Sequence, residues 1–267
     1  MNDLLQGIVL GLLQGVTEFF PVSSSGHLIL VPWLFGWRDQ GLAFDTVLHL
    51  GTLVAVLWAF RKDVTRIVRG AFVQNDAAAK RLFLQIIAAS IPGIVLGGLF
   101  GSAIESALRG PLPVAIDLAF WGIVLFAADR SSAGKKDAVR AVDRLNWRQT
   151  LTVGLAQAIA LLPGTSRSGI TMTGGLLSGL DRGTAVQFSF LVSIPTIAAA
   201  GGYGLLKLLR GDATASVGPG LLAGFLVAAV SGAWAIRFLR SYVSKHSFNA
   251  FVIYRLALAL VVVAALR

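Results

Sequence analysis

Long apolar runs separated by short polar breaks extend along the whole chain of 267 residues. A helix needs about 20 apolar residues to cross a bilayer. Six runs meet this length and are predicted to be membrane-spanning helices: 41–60, 82–103, 112–128, 184–206, 218–239 and 248–266. The pattern therefore predicts an all-α integral membrane protein.

Four other apolar runs are shorter or carry polar residues, and they form two pairs: 3–20 with 24–37, and 148–162 with 166–180. A proline interrupts each pair, Pro21 in the first and Pro163 in the second. Short, interrupted apolar segments in corresponding places are typical of discontinuous helices. Each pair is therefore predicted to form a re-entrant helical hairpin.

The two hairpins also correspond in sequence. A shift of 143 residues places GLLQ on GLAQ and SSSG on SRSG, and it carries the predicted span 41–60 onto 184–203. We therefore expect one membrane domain with internal repeats at approximately 1–130 and 147–267, joined by a basic cytoplasmic loop at 131–146. Because three crossings per repeat is an odd number, the second repeat would be inverted. Chance similarity between two Gly- and Ser-rich segments is the alternative.

Composition supports the membrane class. Hydrophobic residues make up 55% of the chain and charged residues 13%, whereas soluble domains carry about 25% charged residues. The absence of cysteine excludes disulfides and thiol chemistry. The start, MNDLLQ, has no basic residue, so the first run is interpreted as part of the fold rather than as a signal peptide.

The distribution of basic residues predicts the orientation. If the first hairpin enters from side one, five of the 23 basic residues lie on that side: Arg38, Arg109, Lys207, Arg210 and Arg267. Apart from Arg167 and Arg255, the other 16 lie on side two. Cytoplasmic loops are enriched in Lys and Arg, so both termini and both hairpin openings are predicted on the outer side. This enrichment explains the net charge of +10 without nucleic-acid binding.

The first break carries a cluster of polar residues in the stretch QGVTEFFPVSSSGH. Gln14 and Glu18 are four residues apart and share one helix face. A carboxylate within a membrane helix costs about 2.5–3.5 kcal/mol, so it usually has a function. A structural ion pair with Arg167 is the alternative. His27 is a candidate acid–base residue, or a hydrogen-bonded interior histidine.

The second break places Arg167 between two serines, just after Pro163 and Gly164. Its planar guanidinium suits a phosphate and keeps its charge. Inverted hairpins would meet near the bilayer midplane, where broken backbone must be buried or line a wet cavity. Both breaks are also predicted helix starts, whose free N–H groups attract anions. Ser25 and Ser168 are candidates either for helix capping or for phosphate binding.

Weaker candidates lie elsewhere. Asp45, His49 and Gln187 could line the cavity, but His49 has no counterpart at the 143-residue shift and is interpreted as a packing or interface histidine. Arg255 is expected to extend its side chain toward the cytoplasmic surface.

These segments carry a family resemblance. QGVTEFFPVSSSGH and PGTSRSGIT closely resemble the two signature segments of the bacterial undecaprenyl-pyrophosphate phosphatase family, also called bacitracin-resistance proteins. FSFLVSIP (188–195), the chain length and the helix order are also similar, so the resemblance covers nearly the whole chain. Many members carry Glu where this chain has Gln14, which weakens a metal site built from carboxylates at both 14 and 18.

The resemblance implies removal of the terminal phosphate from undecaprenyl pyrophosphate, a membrane lipid. This reaction regenerates the carrier for peptidoglycan and confers bacitracin resistance. It implies catalytic roles for Glu18, Ser24, His27 and Arg167. Substrate-binding residues would be Gln14, Ser23, Ser25, Gly26, Thr165, Ser166, Ser168 and Thr171. A divalent ion, Mg²⁺ or Ca²⁺, is implied, with Glu18 as a candidate ligand. The expected location is the bacterial plasma (inner) membrane, with the site open to the outer face.

Within that reaction, Arg167 would neutralise charge on the transferred phosphoryl group. Glu18 would orient His27, activate a nucleophile or bind the metal. Ser24, His27 and water remain alternative nucleophiles. A homodimer also remains open, because the 30 glycines suit internal packing and dimer contacts alike.

Two other functional classes fit parts of the sequence. A transporter or lipid flippase often has inverted repeats with broken helices, but it needs no acid–base residue, so phosphate release would distinguish it. A structural membrane protein explains the hydrophobicity, but not Glu18, His27 and Arg167 at a shared depth.

Overall fold

A computed structural model of the protein describes residues 3–37, 40–134, 137–210 and 218–267. Within these ranges the chain is helical, and its β-structure is limited to one isolated bridge between Val139 and Leu180. The predicted all-α class is confirmed. The helices are α1 (Asp3–Phe19), α2 (Ser24–Phe35), α3 (Gly41–Ala59), α4 (Arg61–Phe72), α5 (Ala77–Leu108), α6 (Pro111–Ser132), α7 (Trp147–Ile159), α8 (Arg167–Leu177), α9 (Arg182–Leu209), α10 (Pro219–Val243) and α11 (Asn249–Ala265).

Several helices are compatible with a multi-pass membrane protein. Four described helices are long and apolar enough to cross a bilayer: α5, α6, α9 and α10. A fifth span is counted if Phe44–Ala59 and Arg61–Phe72, which meet at an angle of 74°, form one broken span. Helix α11 has 17 residues, or about 25 Å at 1.5 Å per residue, and so lies at the lower limit for a span.

The two pairs of broken segments form helical hairpins. The break lies between Phe19 and Ser24 in the first and between Ile159 and Arg167 in the second. Helices α2 and α8 contain 12 and 11 residues, which correspond to about 18 and 17 Å. Both are therefore too short for a hydrocarbon core of about 30 Å.

Helix α1 packs against α10 through glycines. A Cβ added to Gly7 would lie 2.0 Å from the carbonyl oxygen of Gly220, and one added to Gly11 would lie 2.3 Å from that of Gly224. No side chain fits between the helices at these turns, so the two backbones are in contact. Small residues allow such close approach between membrane helices.

Helix packing is reciprocal between the two halves of the chain. Helix α1 packs on α10, and α7 packs on α5. At the 143-residue shift α1 corresponds to α7 and α5 corresponds to α10, so each hairpin packs on the equivalent helix of the other half. The corresponding pairs α3 with α9 and α6 with α11 also pack on each other.

Helix α4 lies where hydropathy predicts no span. It carries Arg61, Lys62, Arg66 and Arg69 on its exposed side and buries Ile67 and Ala71. Three basic residues used to predict the orientation, Arg38, Lys135 and Lys136, lie outside the described residues.

Candidate active site

Both hairpin breaks end in the same cap geometry. Ser23 and Ser166 have φ values of 74° and 75°, and their hydroxyls accept hydrogen bonds from the amides of Gly26 at 3.2 Å and Gly169 at 3.1 Å. Positive φ is uncommon for a residue other than glycine, and such strained backbone clusters at functional sites.

Ser25 and Ser168 do not cap these helices, so of their two alternatives only phosphate binding stays a prediction. The helices begin at Ser24 and Arg167, so the capping hydroxyl belongs to the residue just before each start. Ser25 and Ser168 lie one residue inside the helix, and their hydroxyls are 3.3 Å and 3.2 Å from those of the capping serines.

The two breaks contact each other. The Ser168 hydroxyl donates a hydrogen bond to the carbonyl oxygen of Phe20 at 2.9 Å. The Nη2 of Arg167 donates to Oε1 of Glu18 at 2.6 Å. Segments 149 residues apart in the chain therefore share one buried polar cluster.

Glu18 is the centre of this cluster. Its Oε2 accepts from the Ser24 hydroxyl at 2.5 Å and from Nε2 of Gln14 at 3.1 Å, while Arg167 occupies Oε1. The Glu18 side chain is only 5% exposed, so these contacts replace the water that a carboxylate would otherwise require. The structure thus brings together three of the four predicted catalytic residues.

His49 belongs to the same cluster, and its interpretation as a packing or interface residue is wrong. Its Nε2 lies 3.4 Å from Oε2 of Glu18. Its Nδ1 lies 2.7 Å from the carbonyl oxygen of Asp45, so Nδ1 is the protonated nitrogen of that contact. The repeat shift could not find His49, but an ionisable residue within an apolar span is itself a signal of function.

His27 lies apart from Glu18 in the hydrogen-bond network. Its Nδ1 is 2.6 Å from the carbonyl oxygen of Ser23, and its Nε2 is 2.7 Å from the hydroxyl of Tyr254. The two rings are stacked with an interplanar angle of 5°. Within the described chain both nitrogens of His27 are occupied, so the first of the three alternative roles of Glu18, orienting His27, is wrong. Tyr254 was not among the candidates predicted from the sequence.

Arg255 is fully buried, and the expectation that it reaches the cytoplasmic surface is wrong. Its exposed fraction is 0%, and all its hydrogen bonds go to carbonyl oxygens, those of Pro21, Asp117, Leu118, Gly164 and Thr165. A Cβ at Gly169 would lie 3.2 Å from Nη1 of Arg255. The guanidinium therefore joins the two breaks from the side of α11.

The remaining candidates lie around the second break and the start of α2. The Thr171 hydroxyl is 2.7 Å from that of Ser189 and donates to the carbonyl oxygen of Arg167. The Thr165 hydroxyl is buried without a hydrogen-bond partner among the described residues. A Cβ on Gly26 would lie 3.2 Å from the Ser23 hydroxyl, so glycine fits this position. Roles of these residues in substrate binding stay predictions.

The cluster offers oxygen ligands for a metal ion, but few of them. Among the described residues no group of three or more His, Asp and Glu could hold a metal. A carboxylate only accepts hydrogen bonds, so Nε2 of Gln14 faces Glu18, and Oε1 of Gln14 is buried without a partner in the described chain. One carboxylate and one amide oxygen fit a Mg²⁺ or Ca²⁺ ion that takes its other ligands from substrate and water.

The chain is similar to known proteins over nearly its full length. The sequence pattern of the family described as "Bacitracin resistance protein BacA" matches residues 7–261. An "Undecaprenyl-diphosphatase" of Moorella thermoacetica is 48% identical over 261 residues, covering 98% of this chain and 97% of its own. A protein of the same name from Desulforudis audaxviator is 47% identical, with 98% of each chain covered. An "Undecaprenyl-diphosphatase 2" of Stutzerimonas stutzeri is 44% identical, with 97% of each covered.

Proposed function

Because this chain belongs to the bacitracin resistance protein BacA family, we propose that it hydrolyses undecaprenyl diphosphate to undecaprenyl phosphate and inorganic phosphate. The observation that carries the proposal is the contact of Glu18 with both Ser24 and Arg167. A carboxylate, a hydroxyl and a guanidinium at one point match the needs of phosphoryl transfer, which depends on positioning and on charge neutralisation.

Ser24 is the nucleophile that the contacts support best. Its hydroxyl donates to Oε2 of Glu18 at 2.5 Å, which is the arrangement of a nucleophile with its general base. Glu18 takes the hydroxyl proton as the Ser24 oxygen bonds to the terminal phosphorus. The bridging P–O bond breaks, and undecaprenyl phosphate leaves with the electron pair of that bond.

A second step releases the phosphate. Glu18 first gives its proton to the departing undecaprenyl phosphate and so becomes a base again. Water then attacks the phosphorus of the phosphorylated Ser24, Glu18 takes a proton from that water, and Glu18 passes this proton to the Ser24 oxygen as that oxygen leaves. Direct attack by water in the first step is the competing route. His27 is a weaker nucleophile candidate, because both its nitrogens are engaged by Ser23 and Tyr254.

Arg167 and the helix starts would hold the phosphate oxygens. Besides Glu18, the guanidinium has one long contact among the described residues, 3.5 Å to the carbonyl oxygen of Ser189, so it has N–H groups left for an anion. The first backbone N–H groups of a helix have no partner within that helix. Those of α2 and α8 begin at Ser24 and Arg167, beside Glu18. Together they form the donors for a phosphoryl group.

A divalent ion would be held by Glu18 and by Oε1 of Gln14. It would supply charge neutralisation for the diphosphate. The buried, unpartnered oxygen of Gln14 supports this assignment. Because the described part of the site offers these two oxygens alone, most ligands would come from the diphosphate and water.

The proposed membrane arrangement is an inverted repeat of two re-entrant hairpins and six spans. Reciprocal packing of α1 with α10 and of α7 with α5 supports it, as do the identical caps at Ser23 and Ser166. The charge distribution supports a cytoplasmic side at the basic loops, with both termini and the site toward the outer face of the plasma membrane. The lipid chain of the substrate would then reach the site between helices.

Phosphate release from a prenyl diphosphate tests the proposal. We expect the purified full chain to release phosphate and the Ser24→Ala variant to lose this activity with an unchanged thermal transition. A phosphoserine trapped at Ser24 by acid quench would identify the nucleophile, whereas full turnover by Ser24→Ala would assign that role to water. Transfer of lipid across vesicles without phosphate release would reject the phosphatase and favour a transporter.

A further inference from the structure

Helix α4 has the geometry of a helix lying on a membrane surface. It follows α3 at an angle of 74°. If α3 crosses the bilayer, α4 runs close to the plane of the interface. Amphipathic helices that carry Lys and Arg with apolar residues commonly lie at this boundary.

A cavity of about 550 Å³ lies along the basic side of α4, lined by Arg61, Lys62, Thr65, Arg66, Arg69 and Gln74. Arg61 donates to the carbonyl oxygen of Trp58, and Arg66 pairs with Asp143 at 3.1 Å. The side chains of Lys62 and Arg69 form no hydrogen bond or ion pair with the rest of the described chain. Two cations therefore face the cavity without a compensating anion.

Apolar side chains of the same segment are exposed beside this cavity. Val68 is 42% exposed, Phe72 is 68% exposed and Val73 is 74% exposed. A free anion would use only the cations. A ligand that joins a phosphate to acyl chains would use the cations and cover the apolar residues as well.

We infer that the α4 cavity binds the phosphate of an anionic phospholipid, with its acyl chains against Val68 and Phe72. Lys62 and Arg69 supply the charge, and Thr65 and Gln74 supply hydrogen bonds to the headgroup. This site is separate from the Glu18 cluster. It takes a resident lipid on the side predicted to be cytoplasmic, where anionic lipid attracts basic segments.

The test is lipid binding by the purified full chain. Protein in a neutral detergent is titrated with short-chain phosphatidylglycerol or phosphatidylcholine, and the bound lipid is counted by native mass spectrometry. The Lys62→Gln/Arg69→Gln double variant should bind phosphatidylglycerol about 25-fold more weakly, about fivefold for each lost cation. An Arg130→Gln/Lys245→Gln variant, which removes two exposed cations outside the cavity, should bind as the wild type does.

Three outcomes would overturn this site. An equal loss of phosphatidylglycerol affinity in both double variants would mean that any surface cation attracts the lipid. Equal affinity for phosphatidylcholine would remove the role of the cations. Displacement of the lipid by millimolar inorganic phosphate would assign the cavity to a free anion. Phosphate release from the prenyl diphosphate should stay within about twofold of the wild-type rate in both variants. A negative result for the lipid site is therefore distinct from a negative result for the phosphatase activity.

A different observation carries a second inference, which rests on the proposed function. Arg255 donates to the carbonyl oxygens of Pro21 in the first break and of Gly164 and Thr165 in the second. We infer that Arg255 is a positioning residue that sets the distance between Ser24 and Arg167. Tyr254, its neighbour on α11, holds His27 at the start of α2, so consecutive residues of one helix fix both breaks.

Variants of Arg255 and of its neighbour Gly122 separate positioning from simple stability. Arg255→Lys keeps the charge but cannot reach both breaks at once, so kcat should fall at least tenfold while KM stays within about threefold. Gly122→Val should give the same kcat loss, because the three atoms nearest to a Cβ there all belong to Arg255, with Nε at 3.4 Å, so a larger side chain displaces the guanidinium. Unchanged kcat in a folded Arg255→Lys protein, or a rise in KM alone, would overturn the role.

Discussion

The two hairpin breaks share a backbone geometry and differ in the side chain that each presents. Ser23 and Ser166 adopt nearly the same φ and ψ, and each caps a helix by the same hydrogen bond. The following residue is Ser24 in the first break and Arg167 in the second, and both bond to Glu18. The same turn geometry therefore presents a hydroxyl group, that of Ser24, in the first break and a cation, that of Arg167, in the second.

Loss of Arg167 should have the largest effect, because it removes the cation that makes the two breaks different. Arg167→Gln is expected to lower kcat by about 10³–10⁵, the range seen for arginines that neutralise a transferred phosphoryl group. The measurement is steady-state phosphate release, with Arg130→Gln as the matched control. A loss below tenfold would show that Arg167 only pairs with Glu18.

Glu18→Gln should have the second-largest effect on kcat. It keeps the shape of the side chain that accepts hydrogen bonds from Ser24 and Arg167, and it removes the negative charge. Loss of a general base typically costs about 10²–10⁴ in rate, so kcat should fall by that factor. Thermal unfolding should be measured in parallel, since the variant leaves Arg167, whose side chain is 13% exposed, without its anion. A stable variant with normal kcat would rule out Glu18 as the base.

His49→Gln should have a smaller effect, of about tenfold on kcat, because it removes one of four contacts to Glu18 while leaving Ser24 and Arg167 in place. His246→Gln serves as its control, since His246 is exposed and contacts Tyr242. If His49→Gln is as inactive as Arg167→Gln, His49 takes part in the reaction directly.

The smallest effect should come from substitution of the capping serines, which the two breaks have in common. Ser23→Ala and Ser166→Ala each remove a cap, and each should lower the free energy of unfolding by about 1 kcal/mol. Substitution by glycine should cost less at both sites, because glycine adopts positive φ freely. Melting temperatures in detergent provide the measurement. If the two substitutions lower the melting temperature by different amounts, the two caps do not stabilise the protein equally.

The helical class and the hairpin breaks were predictable because hydropathy and proline are local signals. Approach of Glu18 to Arg167 was also predictable, since two charges within apolar segments need each other. The capping alternative for Ser25 and Ser168 failed because the caps lie two residues earlier, at Ser23 and Ser166, where φ is positive. His49, Tyr254 and Arg255 reach the breaks from other helices, and no periodicity within one segment encodes which way those helices face.

The glycine contact between α1 and α10 restricts how the protein can move. Alternating-access carriers often rock one repeat as a rigid body against the other. Here α1, from the first half of the chain, touches the backbone of α10, from the second half, at Gly7 and Gly11, so sliding of one helix along the other would bring main-chain atoms into collision. Any large rearrangement must therefore move α1 and α10 together, and the two halves of the chain cannot separate between these helices.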